Sequence, residues 1–421
     1  MDKGNNKMYS YKKAFSLFLI LFLTASFSLV ACNDVVKRVE KAEAQIQKPT
    51  PVEKKLVLGA EQMNLLLPLL KDKSVGITGN HSSMVGKTHL VDSLLALKVA
   101  VKKVYSPEHG FRGDADAGEK VNSSVDEKTG LPIYSLYGKN KKPSVEMLKG
   151  IDVMIFDIQD VGARFYTYIS TLHYVMEACA ENNIQVVVLD RPNPNGYYID
   201  GPILEKDYSS FVGMHPIPVV HGMTIGEYAK MINGEKWLKN NLQADLKVIP
   251  MLGYSHKDRY QLPVKPSPNL PNMDAIYLYP SLCFFEGTPI SIGRGTDKPF
   301  QQFGHPAFRL YSHVFTPKSM YGAKDPRLKG VNCSGRLLTK DAERLKNNGM
   351  IDLQWLIDSY NQYPEKEEFF TNFFLLLAGT KQLEAQIKSD LSADEIRTSW
   401  KPGLEKFQKE VRSKYLLYED F

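Results

Sequence analysis

The stretch QVVVLD, Gln185–Asp190, decides the fold. Val186, Val187, Val188 and Leu189 are all apolar and mostly β-branched, so neither side of a strand formed here can face water. A strand buried on both faces belongs to a parallel sheet covered by helices on each side. Its neighbours follow the same pattern. SVGIT (Ser74–Thr78), VKKVY (Val101–Tyr105), DVMIFD (Asp152–Asp157) and LKVIP (Leu246–Pro250) read as further strands. Leu90–Leu97 and Thr171–Asn182 carry apolar residues at helical spacing. Alternating strands and helices predict an α/β fold, a Rossmann-like doubly wound parallel sheet, over residues 56–262. A proline-rich stretch, Pro263–Pro280, marks the boundary. Beyond it a Gly-rich loop (Phe285–Gly304), helices after Thr339 and an amphipathic helix over Ala393–Lys414 predict a second, smaller α+β domain at 263–421.

Further out, the first residues bear on compartment. Lys3, Lys7, Lys12 and Lys13 precede an uncharged run, Ala14–Val30, that ends in Leu29-Val30-Ala31-Cys32. This reads as a lipoprotein signal peptide over residues 1–31, with Cys32 left to carry lipid. The run is 17 residues long, short of the roughly 20 needed to span a bilayer. Residues 32–55, rich in Lys, Glu, Gln and Pro, read as a tether. The expected location is therefore outside the cytoplasm, anchored to a bacterial membrane by lipid. The formal charge is +6, but the leader holds four Lys and one Asp, leaving +3 for the rest. That balance argues against a nucleic-acid partner. Cys179, Cys283 and Cys333 are too widely and irregularly spaced for a zinc site or a disulfide framework, and read as buried thiols.

In an open parallel sheet, ligands bind beyond the carboxyl ends of the strands. Polar residues stand at each such end: Asn80 and His81; Glu108 and His109; Asp157, Gln159, Asp160 and Arg164; Asp190, Arg191, Asn193 and Asn195. A single Asp or Asn there would be read as a helix cap. Four strand ends that also carry Glu-His and two arginines point to a site. Glu108 is the sharpest candidate, because Pro107 and Gly110 fix a turn that aims its carboxylate. If Glu108 acts in acid–base hydrolysis, a second carboxylate is called for, and Asp157 or Asp160 is the expected one, with Arg164 as the partner that makes a carboxylate at the end of an apolar strand tolerable. In the Gly-rich loop Glu286 and Arg294 are candidates for a lid over the crevice. Thr224 and Glu227 form a capping box and need no functional role. His221, just outside that box, is a further candidate for the site.

Two other signals lead elsewhere. Gly79–Thr88, GNHSSMVGKT, looks like a phosphate-binding loop, but six residues separate its first Gly from Gly-Lys-Thr, where the motif needs four. No HExxH or comparable metal-ligand spacing is present. No nucleotide, metal or other cofactor is expected.

Taken together, SPEHG (106–110), DIQDVGARFYTYI (157–169), DRPNPNG (190–196), HGMTIGE (221–227), PSPNLP (266–271) and FEGTPISIGRGTDKPF (285–300) resemble the NamZ-type exo-β-N-acetylmuramidase family. The resemblance runs from about Leu56 to the C-terminus. It implies release of N-acetylmuramic acid from the non-reducing ends of peptidoglycan fragments, with Glu108 matching the family's proposed catalytic glutamate. On that reading Arg164, Arg191 or Arg294 would grip the lactyl carboxylate of the sugar. Tyr137, Tyr166 and Tyr168 would stack on its ring, with His109, Asn193, His221 and Glu286 completing the substrate contacts. Without the resemblance, the residues support an exported α/β hydrolase with carboxylates in its crevice. The rival readings are a non-catalytic sugar- or peptide-binding lipoprotein and a metal-dependent esterase or deacetylase using His81, His109 and Asp157.

Overall fold

The computed structural model of the chain describes residues 55–112 and 124–421. Cys32 and the leader, with the tether up to residue 54, lie outside these residues. The body from Lys55 to Phe421 is one compact unit.

Its centre is a seven-stranded sheet. The strands are β1 (Val75–Gly79), β2 (Val101–Ser106), β3 (Ser124–Val125), β4 (Pro132–Ser135), β5 (Val153–Asp157), β6 (Gln185–Leu189) and β7 (Leu246–Ile249). Their spatial order is β3-β4-β2-β1-β5-β6-β7. All neighbours are parallel except β3, a short edge strand antiparallel to β4. Apart from that edge strand, the sheet runs outward from a central β1 in both directions, as a doubly wound sheet does.

The alternation of side chains explains why these runs had to be apolar throughout. Along β5, Met154 and Phe156 enter one hydrophobic cluster while Val153 and Ile155 enter the other. On one face the cover is α1 (Met63–Leu70) and α2 (Leu90–Ala96), through Leu66, Leu70, Leu90 and Leu94. On the other it is α3 (Tyr168–Glu181) and α4 (Ile225–Gly234), through Leu172, Val175, Met231 and Ile232. The expected capping box opens α4: Thr224 N–H donates to Glu227 Oε2 at 2.9 Å, and Glu227 N–H to Thr224 Oγ1 at 3.3 Å.

The C-terminal part starts with α5 (Met273–Leu282) and builds its own antiparallel sheet. Its strands are β8 (Gln302–His305), β9 (His313–Phe315) and β10 (Cys333–Leu337), with β10 in the middle. Helices follow, among them α6 (Asn372–Ala378) and α7 (Ala393–Lys406). The amphipathic segment expected to reach Lys414 as one helix stops being α-helical at Lys406. It continues as a π-turn and a 3-10 turn. The tail then returns to the first sheet, where Arg412 is paired with Asp420 and donates to the Gly222 carbonyl at 2.8 Å. Cys179, Cys283 and Cys333 are free and buried, as their spacing suggested.

Candidate active site

A cavity of about 760 Å³ opens where the carboxyl end of β2 meets the C-terminal part. Glu108 stands on its wall. The turn that carries it is closed by a hydrogen bond from Gly110 N–H to the Pro107 carbonyl at 3.2 Å, and both His109 and Gly110 have positive φ. His109 is thereby turned inward and buried, while Glu108 keeps partial access to the cavity. Thr167 Oγ1 donates to Glu108 Oε2 at 3.1 Å. Tyr137 lies on the other side; burial, and then the Glu108 carboxylate bonded to it, push its phenol well above the usual range.

The facing wall comes from the Gly-rich loop. Glu286 sits in a 3-10 turn directly after α5. Its Oε1 accepts from both Nε and Nη2 of Arg294 at 2.8 Å, and the Arg294 guanidinium lies over the Phe300 ring at 4.9 Å. Arg327 reaches the same turn and donates to the Glu286 carbonyl at 3.2 Å. The floor is aromatic. Tyr166 packs edge-on against Tyr168 and Tyr279, with its hydroxyl spent on the Pro266 carbonyl at 3.0 Å. Phe211 and Phe373 stand at the margins.

Of the residues singled out in the sequence, Glu108, His109, Tyr166, Glu286 and Arg294 line this cavity, as does Tyr137. The others stand elsewhere, each for an identifiable reason. Asp157 is fully buried and its partner is Arg191, not Arg164: Nε and Nη2 of Arg191 meet the two carboxylate oxygens at 2.6 and 2.9 Å. Arg191 borders a separate cavity of about 180 Å³ beside Gln159 and Ser82. Arg164 is fully enclosed and donates to four main-chain carbonyls, those of Pro202, Ile217, Leu377 and Ala378, at 2.7–2.9 Å. Two of those carbonyls close α6, so this cation serves a helix C-terminus. Asn193 bonds to Asn195 N–H and the Met223 carbonyl, both at 2.8 Å, and so shapes the loop after β6.

Asp160 and His221 form a buried pair behind the cavity, with His221 Nε2 at 3.9 Å from Asp160 Oδ2. Burial pushes the Asp160 carboxyl up to about 7. Burial, reinforced by Arg412, pulls His221 down to about 3. Asp160 Oδ1 and His221 Nε2 have no hydrogen-bond partner among the described residues, the usual setting for an internal water. His81 turns to the Lys265 carbonyl at 2.8 Å. Among the described residues, no group of three or more His, Cys, Asp or Glu is placed to hold a metal ion.

Thr167 and Arg327 were not anticipated. Thr167 lies inside the DIQDVGARFYTYI stretch, next to Tyr166, and a hydroxyl at the start of α3 was a readable signal. Arg327 sits in a PRLKG run that resembles no motif; only the tertiary fold brings it to the cavity.

Comparison with known proteins gives a consistent result. The description "exo-beta-N-acetylmuramidase NamZ, N-terminal" matches residues 75–274, and its C-terminal counterpart matches residues 277–418. The seam between them falls inside α5. The peptidoglycan beta-N-acetylmuramidase NamZ of Bacillus subtilis strain 168 is 42% identical over 373 residues, covering 83% of this chain and 88% of that protein. Two crystal structures of DUF1343 family proteins from Bacteroides fragilis NCTC 9343 share the fold. One has a TM-score of 0.81 at 48% identity, covering 87% of this chain and all of that one. The other has a TM-score of 0.74 at 31% identity, covering 88% and 100%.

Proposed function

The chain belongs to the NamZ exo-β-N-acetylmuramidase family and is a glycoside hydrolase of the peptidoglycan muramidase kind, and from that premise we propose that it removes N-acetylmuramic acid from the non-reducing ends of peptidoglycan fragments with Glu108 as the general acid. The observation that carries the mechanism is the pairing of walls. Glu108 faces the cavity between two hydroxyl groups, and Glu286 faces it in the grip of Arg294.

The two carboxyl groups are dressed for different roles. A hydroxyl can donate to a carboxylate or accept from a carboxylic acid. Glu108 can therefore give its proton to the departing glycosidic oxygen and take one back without losing its neighbours. A guanidinium only donates, so Glu286 is held as an acceptor. It is suited to attack the anomeric carbon or to draw a proton from water. In this reading Glu286 has the role expected of Asp157 or Asp160: Asp157 is buried against Arg191, and Asp160 is buried with its Oδ2 accepting from Gly162 N–H at 2.7 Å. Tyr166, Tyr279 and Phe300 provide the apolar surface on which a sugar ring rests.

The test is Glu108→Gln. The change is nearly isosteric and sits on a turn, so the melting temperature should hold. Acid–base assistance is worth roughly 10²–10⁴-fold, and kcat on a natural muramyl disaccharide should fall by that factor. The fall should be smaller on a nitrophenyl muramide, whose leaving group needs little protonation. A variant that melts normally and cleaves the disaccharide at the wild-type rate removes Glu108 from the mechanism. We also propose that the enzyme is exported and held to a membrane by lipid on Cys32, supported by the basic leader, the apolar run and the Leu-Val-Ala-Cys sequence.

A further inference from the structure

We propose that Arg327 is the specificity residue of this site: its guanidinium receives the lactyl carboxylate that distinguishes a muramic sugar from a glucosamine. The inference rests on the muramidase reading above. It starts from the two arginines that line the cavity, Arg294 and Arg327. Arg294 commits Nε and Nη2 to Glu286. Arg327 donates a single hydrogen bond, from Nη2 to a main-chain oxygen. Among the described residues, no carboxylate lies within ion-pair distance of it. A guanidinium has five N–H donors in a rigid fork, so most of its donors remain for a ligand. Fork-to-carboxylate pairing is what that geometry favours.

Its position is fixed by contacts on both sides. Lys318 N–H donates to the Gly295 carbonyl at 2.7 Å, tying the start of the Arg327 loop to the loop of Arg294. Asn269 Nδ2 donates to the Gly322 carbonyl at 2.7 Å, tying its middle to the PSPNLP segment. Arg327 itself holds the turn of Glu286. The charge that would read the sugar's substituent is thus set in register with the carboxylate proposed to act at its anomeric carbon. Neither Arg164 nor Arg191 lines this cavity: Arg164 is enclosed by main-chain carbonyls, and Arg191 is paired with Asp157 beside the separate cavity.

The experiment varies the charge on both partners. Wild type, Arg327→Ala and Arg327→Glu are assayed on a nitrophenyl β-N-acetylmuramide with a free lactyl carboxylate and on its neutral lactyl methyl ester. A hydrogen-bonded charge contact corresponds to roughly a 10- to 100-fold effect on kcat/KM. Wild type should prefer the acid by about that factor, expressed mainly in KM; Arg327→Ala should cleave acid and ester alike, and Arg327→Glu should prefer the ester. A purely structural role would lower both substrates together and keep their ratio, and that result overturns the proposal. If wild type cleaves neither compound, the muramidase reading itself fails, which is a different outcome from a retained ratio.

Discussion

Asp160 and His221 show how much one buried contact decides. Unfolded, they would titrate near 3.8 and 6.5; folded, near 7 and 3. Between those limits the pair holds one proton in either state, on the histidine when unfolded and on the aspartate when folded. Its contribution to the pH dependence of stability is therefore nearly flat. Removing one partner exposes the other. In Asp160→Asn only His221 remains, with a depressed folded value, so its stability is present above 6.5 and is lost as pH falls toward about 3. We expect this variant to lose on the order of 2 kcal/mol relative to wild type between pH 7 and pH 5, measured by urea unfolding at the two pH values. Parallel profiles for variant and wild type would refute the shared-proton account. At this scale the sequence was readable where a residue is aimed by its own backbone, as Glu108 is by Pro107 and Gly110. It was not readable for Asp157, Asp160, Arg164 and His221. Standing at a strand end fixes which edge of the sheet a residue occupies, whereas partners distant in sequence, such as Arg191 for Asp157 and the Leu377 and Ala378 carbonyls for Arg164, determine whether it faces a cavity.

Elements follow the same division. The parallel strands were legible because burial on two faces demands uninterrupted apolar runs. The second sheet was not, since its middle strand β10 reads CSGRL. Gly335 is there for a steric reason: a Cβ at that position would stand 1.8 Å from the Phe303 carbonyl oxygen. Close approach of neighbouring backbones, rather than strand propensity, selected the residue. A similar approach joins the site to α6. A Cβ on Gly287 would come within 2.4–2.6 Å of the Phe374 backbone and Cβ. Gly287→Ala must therefore push α6 away from the turn that bears Glu286. We expect a loss of about 1–3 kcal/mol in chemical denaturation, with a fall in kcat/KM larger than the fall in folded fraction. An alanine variant with wild-type kinetics would show that the turn and the helix move independently.

For the molecule as a whole, the remaining prediction concerns the N-terminus. Cys32→Ser should abolish lipid attachment and release the protein from membranes, while the body from Lys55, one compact unit, keeps its hydrolytic activity. Fractionation followed by a muramidase assay checks both. A variant that still sediments wholly with membranes places the anchor elsewhere. Legibility was divided here too. The proposed leader and lipobox rest on consecutive residues alone. The cavity belongs to neither half of the chain: Glu108 and Tyr137 come from the first and Glu286, Arg294 and Arg327 from the second. That split has a consequence for biosynthesis. Until the ribosome has passed Arg327, the growing polypeptide carries Glu108 without the wall opposite it, and the cavity is incomplete. A protease that removes the second half takes away Glu286, Arg294 and Arg327, and with them the Leu377 and Ala378 carbonyls that hold Arg164, so the first half loses both the opposite wall and part of its own support.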